Sequence, residues 1–137
     1  MDYEIGTQTS AEPRMDLAER PTRILHTMMR VLDLQRSLDF YIGALGMQLL
    51  RRQDYPTGRF TLAFLGYGTE DNTTVLELTH NWDPTAPYVH GTAWGHVAIA
   101  VGDIHAVCAE LAEAGVNITR PPGPMKHSPT VIAFIED

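Results

Sequence analysis

Two histidines open the two copies of a repeated sequence, and this repeat bears most directly on chemistry. After His26 and again after His96, valine follows at five residues, aspartate at seven and a branched aliphatic residue at eight. In both copies an amphipathic stretch then leads to a glycine, Gly46 or Gly115. A repeat of this length indicates one supersecondary unit used twice. The two histidines are therefore expected at equivalent points of the two units.

A histidine on a strand can bind a metal through neutral imidazole, and a nearby carboxylate would complete a nitrogen–oxygen site. The candidate carboxylate is Glu77, which lies in the apolar run Val75–Thr79, where a charge is costly unless it is paired or bound to metal. A lone strand histidine is more often a packing or surface residue, and a lone strand glutamate is usually solvated. The repeat and Glu77 together favour metal ligation by His26, Glu77 and His96. We interpret His80, His90, His105 and His127 as surface residues and Cys108 as a core residue.

The second unit should repeat the acid as well as the histidine. Glu77 lies 51 residues after His26. By symmetry an equivalent acid is expected about forty to fifty residues after His96 if its loops are shorter. Asp137 lies 41 residues after His96, so this final ligand is expected at or beyond the last residue of the sequence.

The elements that would position these ligands follow from periodicity and turn residues. A strand-like stretch over Thr22–Arg30 precedes Asp33, a predicted helix N-cap, and apolar residues then recur at helical spacing until Gly46. Three strands follow, separated by turns. They are predicted over Met47–Arg52, Phe60–Leu65 and Thr73–Thr79. The first unit is therefore β-α-β-β-β.

The second unit repeats this order but lacks its last strand. The predictions are a strand over Trp94–Val101, a helix capped by Asp103, a short strand over Val116–Thr119, a loop over Arg120–Pro129 and a strand over Val131–Ile135. The fold class is α+β, with paired β-α-β-β-β modules in a single domain over residues 22–137. Module one spans 22–80, the linker 81–92 and module two 93–137. Residues 1–21 are predicted to be a mobile N-terminal extension, within which Met15 offers an alternative start.

Composition narrows the class of protein and partner. Ten basic against seventeen acidic residues leave a net charge of −7, which disfavours nucleic acid as a partner. The single cysteine fits a reducing compartment. No apolar run approaches the roughly 18 residues of a membrane span, and the first twenty residues lack the apolar stretch of a signal peptide. We therefore expect a cytoplasmic protein that does not act on membranes.

Five blocks of sequence resemble glyoxalase I (lactoylglutathione lyase) of the short bacterial type, a family of the vicinal oxygen chelate superfamily. Together they extend over nearly all of Arg23–Asp137. They are Leu25–Val31, Leu34–Met47, Leu76–Trp82, Gly91–His96 and Val131–Asp137.

The resemblance implies a homodimer with active sites at the subunit interface. His26 and Glu77 would come from one chain, and His96 and a final glutamate from the other. It implies a divalent metal, with nickel or cobalt favoured and zinc as an alternative, and glutathione as co-substrate. The reaction would isomerise the methylglyoxal–glutathione hemithioacetal to S-lactoylglutathione. Glu77 is assigned as catalytic base among the acids present, although the family's principal base corresponds to the final glutamate beyond Asp137, which leaves the activity of this chain open. Substrate contacts are expected from Arg30, Asn81, Arg120 and Lys126.

Other functions of the same superfamily remain alternatives. Two histidines and one glutamate also form the facial triad of non-haem iron oxygenases, and extradiol dioxygenases share the superfamily. In those enzymes both histidines precede the glutamate, whereas here the order is His26, Glu77, His96. A thiol-transfer resistance enzyme and a non-catalytic ligand-binding module are the further alternatives.

Overall fold

The computed structural model describes residues 21–137. The predicted mobile extension therefore lies, apart from residue 21, outside the described residues. The elements are β1 (His26–Arg30), α1 (Leu34–Leu38), a π-helical segment that continues it (Asp39–Ala44), β2 (Gln48–Tyr55), β3 (Phe60–Gly66), β4 (Val75–Asn81), α2 (Ile104–Glu113), β5 (Asn117–Pro124) and β6 (Val131–Glu136). No helix in this range is long and apolar enough to cross a membrane.

The first unit folds as a four-stranded sheet with one face covered by α1. The strand order is β1-β4-β3-β2, and β1 is parallel to β4 while the other neighbours are antiparallel. Alternate residues of β3 and β4 point to the helix, and Leu65 and Leu78 are fully buried there. The core of this unit comprises Val31, Leu34, Leu38, Tyr41, Met47, Ala63, Leu65, Leu76 and Leu78. This confirms the predicted β-α-β-β-β order of the first unit.

The two helices begin and end in the same way, as the repeat predicts. The Asp33 side chain accepts a hydrogen bond from the backbone N–H of Arg36, and Asp103 caps α2 by accepting from two backbone N–H groups. Beyond the helices, Gly46 and Gly115 have φ angles of +69° and +83°, in the left-handed region that glycine adopts without the penalty of a Cβ atom. The repeat thus determines the local geometry at both ends of each helix.

The predicted strand over Trp94–Val101 is absent, which corrects the sequence interpretation. The segment has no ladder hydrogen bonds and is mostly exposed. Its counterpart β1 is held in the first sheet by β4 alone. Within residues 21–137 the sheet of the second unit consists of the β5–β6 hairpin alone, without a counterpart of β4. The peptide groups around His96 therefore have no neighbouring strand to pair with.

Strand β5 is longer than the sequence predicts, which corrects the loop predicted over Arg120–Pro129. The strand continues through Pro121 and Pro122 to Pro124, and β6 pairs with it antiparallel. Two register shifts in this hairpin, at Arg120 and before Gly123, accommodate the prolines, which lack the N–H that a regular ladder requires. The structure thus places Arg120 in a strand rather than in a loop.

The two units are connected by a side-chain contact in addition to the linker. Tyr41, in the π-helical segment, donates a hydrogen bond from its hydroxyl to Asp137 Oδ2 at 3.1 Å. Burial raises the pKa of Tyr41, and the nearby Asp137 carboxylate raises it further. The Tyr41 hydroxyl therefore stays protonated and acts as the donor in this contact.

Candidate metal half-site

The face of the first sheet opposite α1 carries the candidate ligands. Exposed residues alternate along β1, and the register places Met28, Glu77, Phe64 and Arg51 in one row across all four strands. We call this side of the sheet the open face, defined by His26, Arg30, Arg51, Phe64 and Glu77. Strand alternation explains how Glu77 can occupy a run of core residues, since its neighbours Leu76 and Leu78 point to the helix.

The structure brings His26 and Glu77 into direct contact. His26 Nε2 lies 2.8 Å from Glu77 Oε2, and the side chains are 40% and 12% exposed. The two residues come from neighbouring parallel strands, with Glu77 opposite Met28. Thr79 Oγ1 lies 3.5 Å from the other carboxylate oxygen. A largely buried carboxylate and the imidazole nitrogen beside it are a suitable pair of donors for a first-row divalent metal.

His96 does not join this pair within one chain. It lies in the exposed segment before α2, where its ring contacts Phe134 of β6 with a centroid distance of 5.7 Å. Within residues 21–137, no group of three histidine, cysteine, aspartate or glutamate side chains could hold a metal ion. One chain therefore presents two donors of the predicted set on the open face, and the third is located in the second unit.

Two of the predicted substrate-binding residues lie on the first sheet, near the carboxyl ends of β1 and β4. Arg30 is the last residue of β1 and pairs in register with Thr79, two residues before Asn81. The Asn81 amide donates a hydrogen bond to the Tyr88 hydroxyl at 3.0 Å. An exposed cation and an amide thus lie on the same sheet as the His26–Glu77 pair.

The other two predicted substrate-binding residues belong to the second unit. Arg120, in β5, donates a hydrogen bond to the Pro124 carbonyl at 2.9 Å. Lys126 is exposed in the turn between β5 and β6. The four predicted substrate contacts are therefore divided between the two sheets of one chain, as the two histidines are.

A cleft of about 880 Å³ lies beside β1, between the two units. Arg30 contributes to its wall together with Tyr88, Trp94 and Asp137, whereas His26 and Glu77 do not. Its position follows from the edge location of β1 in the first sheet. Because the donor pair lies outside this cleft, we place the candidate chemistry on the open face.

Sequence reasoning missed Arg51 and Glu70, which lie next to the donor pair. Arg51 donates to both Glu70 carboxylate oxygens at 3.1 and 2.9 Å, and these hydrogen bonds lower the pKa of the Glu70 carboxyl. The Arg51 guanidinium also lies 3.9 Å from the centre of the Phe64 ring. The repeat contained a signal for Arg51, since it follows Gly46 by five residues as Arg120 follows Gly115.

Comparison with known proteins gives consistent matches over the region that carries this site. The family profile Glyoxalase/Bleomycin resistance protein/Dioxygenase superfamily matches residues 23–137. A lactoylglutathione lyase of Neisseria meningitidis serogroup A is 60% identical over 115 residues, which cover 84% of this chain and 83% of the relative.

Solved structures give the same result for the fold. Glyoxalase I from Zea mays matches with a TM-score of 0.79 and 43% identity over 84% of this chain, but this match spans only 41% of the maize chain. The glyoxalase I of Leishmania major, described as trypanothione-dependent, matches with a TM-score of 0.74 and 44% identity over 85% of this chain and 80% of that one.

Proposed function

Since the chain belongs to the Glyoxalase/Bleomycin resistance protein/Dioxygenase superfamily, we propose that it acts as a lactoylglutathione lyase. It isomerises the hemithioacetal of methylglyoxal and glutathione to S-lactoylglutathione and thereby detoxifies methylglyoxal. The match to the Neisseria lactoylglutathione lyase at 60% identity over most of both chains supports this assignment. The observation that carries the mechanism is the contact between His26 Nε2 and Glu77 Oε2 on the open face.

His26 and Glu77 would hold a divalent metal on the open face. Their imidazole nitrogen and carboxylate oxygen suit nickel, cobalt or zinc, and we favour nickel or cobalt because the chain resembles the short bacterial type. When bound, the ion supplies Lewis-acid stabilisation of the negative charge that develops on the substrate oxygens. The His26–Glu77 pair provides two donors, and His96 of a second copy would add a third.

Glu77 is the residue to which we assign proton transfer. Its carboxylate accepts the proton from the carbon bonded to sulfur, and the electrons of that C–H bond form the carbon–carbon double bond of an ene-diolate. The π electrons of the neighbouring carbonyl move to its oxygen in this step. Protonation of that carbon, with transfer of the hydroxyl proton from the oxygen beside sulfur to the other oxygen, then gives the thioester and the new hydroxyl group, so no oxidant or reductant is consumed. The low exposure of the Glu77 side chain, 12%, limits competition from water at this carboxylate.

The remaining predicted residues bind the anionic thiol adduct. Arg30 and Asn81 offer a cation and an amide from the first sheet, while Arg120 and Lys126 offer two further cations from the second. Charge-assisted hydrogen bonds to carboxylates explain such cations in a protein of net charge −7. Because the Leishmania relative is described as trypanothione-dependent, the thiol needs its own test, and we assign glutathione.

We assign a homodimer with two interface active sites, in which each chain contributes one half to each site. The division of His26 and His96 between the open face and the second unit supports this arrangement. A two-fold axis would present each half to the other half of a second copy. We also assign the protein to the cytoplasm, since its single cysteine is buried and forms no disulfide.

The experiment that tests the function measures formation of S-lactoylglutathione from methylglyoxal and glutathione. Metal-stripped protein is reconstituted separately with nickel, cobalt and zinc, and each sample is assayed with glutathione and with trypanothione. We expect metal-dependent turnover, highest with nickel or cobalt and with glutathione. Folded, metal-loaded protein without turnover on either thiol would contradict the assignment and favour a ligand-binding module.

A further inference from the structure

The same three-residue arrangement occurs once in each unit. In the first, the His26 ring meets the Phe64 ring edge-on, with centroids 5.7 Å apart and planes at 80°, and the Arg51 guanidinium lies 3.9 Å from the Phe64 centroid. In the second, His96 meets Phe134 at 5.7 Å and 66°, and Arg120 lies 5.9 Å from the Phe134 centroid. We call each set a His–Phe–Arg stack.

The same feature of strand pairing underlies both stacks. Arg51 pairs in register with Phe64, and Arg120 pairs with Phe134. In both hairpins the register shifts immediately before the arginine. Such irregularities redirect the side chains that follow them. The stack therefore depends on a repeated irregularity of the strand pairing, and in the second unit it persists although His96 is not in a strand.

The first stack restricts the rotation of the His26 imidazole about its last side-chain torsion. Phe64 is only 5% exposed. Arg51 lies over its ring, and Glu70 accepts two hydrogen bonds from the guanidinium. An imidazole that packs edge-on against a fixed ring cannot rotate freely about its last torsion. Its Nε2 is thereby kept towards Glu77, 2.8 Å away. Outer contacts of this kind orient histidine ligands in metal sites.

We propose that Phe64, held by Arg51, is a positioning residue that fixes the His26 imidazole for metal binding, and that Phe134 has the same role for His96. This inference rests on the metal site of the proposed function. It gives a role to Phe64, which otherwise would count as a packing residue, and to Phe134, which is 38% exposed. It also explains why an arginine lies near each of the two rings.

The test measures the affinity of metal-stripped full-length protein for cobalt by calorimetry. For Phe64→Leu we expect the Kd to rise about tenfold, as for other losses of outer-shell contacts. Phe60→Leu is the matched control, since Phe60 lies on the same strand but stacks on Tyr55 at 4.7 Å. This control should change the Kd less than about twofold, while thermal unfolding of both metal-free variants checks that the fold is retained.

Two further variants keep the proposal testable if Phe64→Leu unfolds. Phe134→Leu should weaken cobalt binding in the same way through His96. Arg51→Lys keeps the charge but loses the planar guanidinium, so we expect the cobalt Kd to rise about threefold. Arg52→Lys, at the neighbouring position, is its control and should leave the Kd unchanged.

The outcomes separate this inference from the function on which it rests. An unchanged cobalt Kd in folded Phe64→Leu would overturn the positioning role. A rise in Kd for Phe60→Leu equal to that for Phe64→Leu would also overturn it. Neither result would contradict the metal site itself. Wild-type protein that binds neither cobalt, nickel nor zinc would overturn both the metal site and the positioning role. A selective rise in Kd for Phe64→Leu and Phe134→Leu supports the proposal independently of lyase activity.

Discussion

At the scale of single residues, the central observation is a carboxylate in an apolar strand with an imidazole beside it. Burying Glu77 alone would carry a desolvation cost of a few kcal/mol. The His26 contact at 2.8 Å offsets part of that cost, and a bound cation would offset more. An arrangement that is costly for stability and lies on an open sheet face is typical of a functional site.

Replacing Glu77 by glutamine should separate chemistry from folding. Glutamine has nearly the same shape but neither the charge nor the basicity, so we expect kcat/KM to fall about 100-fold or more, with weaker metal binding. Steady-state kinetics and metal analysis provide the measurement. Glu110→Gln on the exposed side of α2 is the control. A Glu77→Gln enzyme with wild-type kinetics would remove this residue from the site.

Replacing Arg30 by glutamine should act on substrate binding. Arg30 is exposed at the end of β1, so its loss should leave the fold intact and raise KM for the thiol adduct by about tenfold, the effect of one charge-assisted hydrogen bond. Arg52→Gln, a substitution of the same type on β2, should leave KM unchanged. If both variants behave alike, the substrate does not contact Arg30.

At the scale of elements, the sequence repeat specifies where each helix begins and ends. Each helix begins at an aspartate that accepts hydrogen bonds from its first turn, and a glycine with positive φ follows each helix. These termini set where β2 and β5 begin, and therefore which residues of those strands face Phe64 and Phe134. The location of the site on its sheet thus depends on backbone features outside it.

Gly46 and Gly43 provide a paired test of this dependence. An added Cβ would meet no atom within 4 Å at either position, but only Gly46 has a positive φ, of +69°. Gly46→Ala should therefore lower the free energy of unfolding by about 1–2 kcal/mol through backbone strain alone. Gly43→Ala, within the π-helical segment, should be neutral or stabilising by up to about 1 kcal/mol.

Urea unfolding of both variants, followed by circular dichroism, measures these differences. Equal effects at the two positions would show that φ at Gly46 is not what favours glycine there. A Gly46→Ala protein that also loses metal affinity would connect the helix terminus to the orientation of the strands that follow.

At the scale of the whole molecule, one chain presents two separate histidine-bearing halves. His26 and Glu77 share the first sheet, whereas His96 lies with Phe134 in the second unit. A site that combines both halves requires a second copy in the proposed arrangement. Such a two-fold dimer makes a specific prediction about mixtures of inactive variants.

His26→Ala and His96→Ala, each inactive alone, should complement one another when refolded together. Random pairing makes about half of the dimers hybrid, and each hybrid has one site with both histidines, so we expect about a quarter of wild-type activity. Mixing His26→Ala with Glu77→Gln is the control, since both changes affect the same half-site and no hybrid has an intact site. Recovery in neither mixture would contradict sites shared between chains.

Much of this protein was determined by local sequence. The spacing from His26 to Asp33 and Gly46, repeated from His96, predicts both helices and their termini, because capping and left-handed glycine conformations depend on a few neighbouring residues. Alternation around Glu77 likewise predicts that it faces away from the core. The functional hypothesis followed from the same residues and from the resemblance that they carry.

Only the tertiary structure decided what depends on pairing between distant strands. It left Trp94–Val101 without a ladder, because a strand exists only where a neighbour accepts its hydrogen bonds. It extended β5 over Arg120, since register shifts in the hairpin accommodate the prolines. It also brought Arg51 over Phe64 and Phe64 against His26, contacts between residues that no local pattern connects.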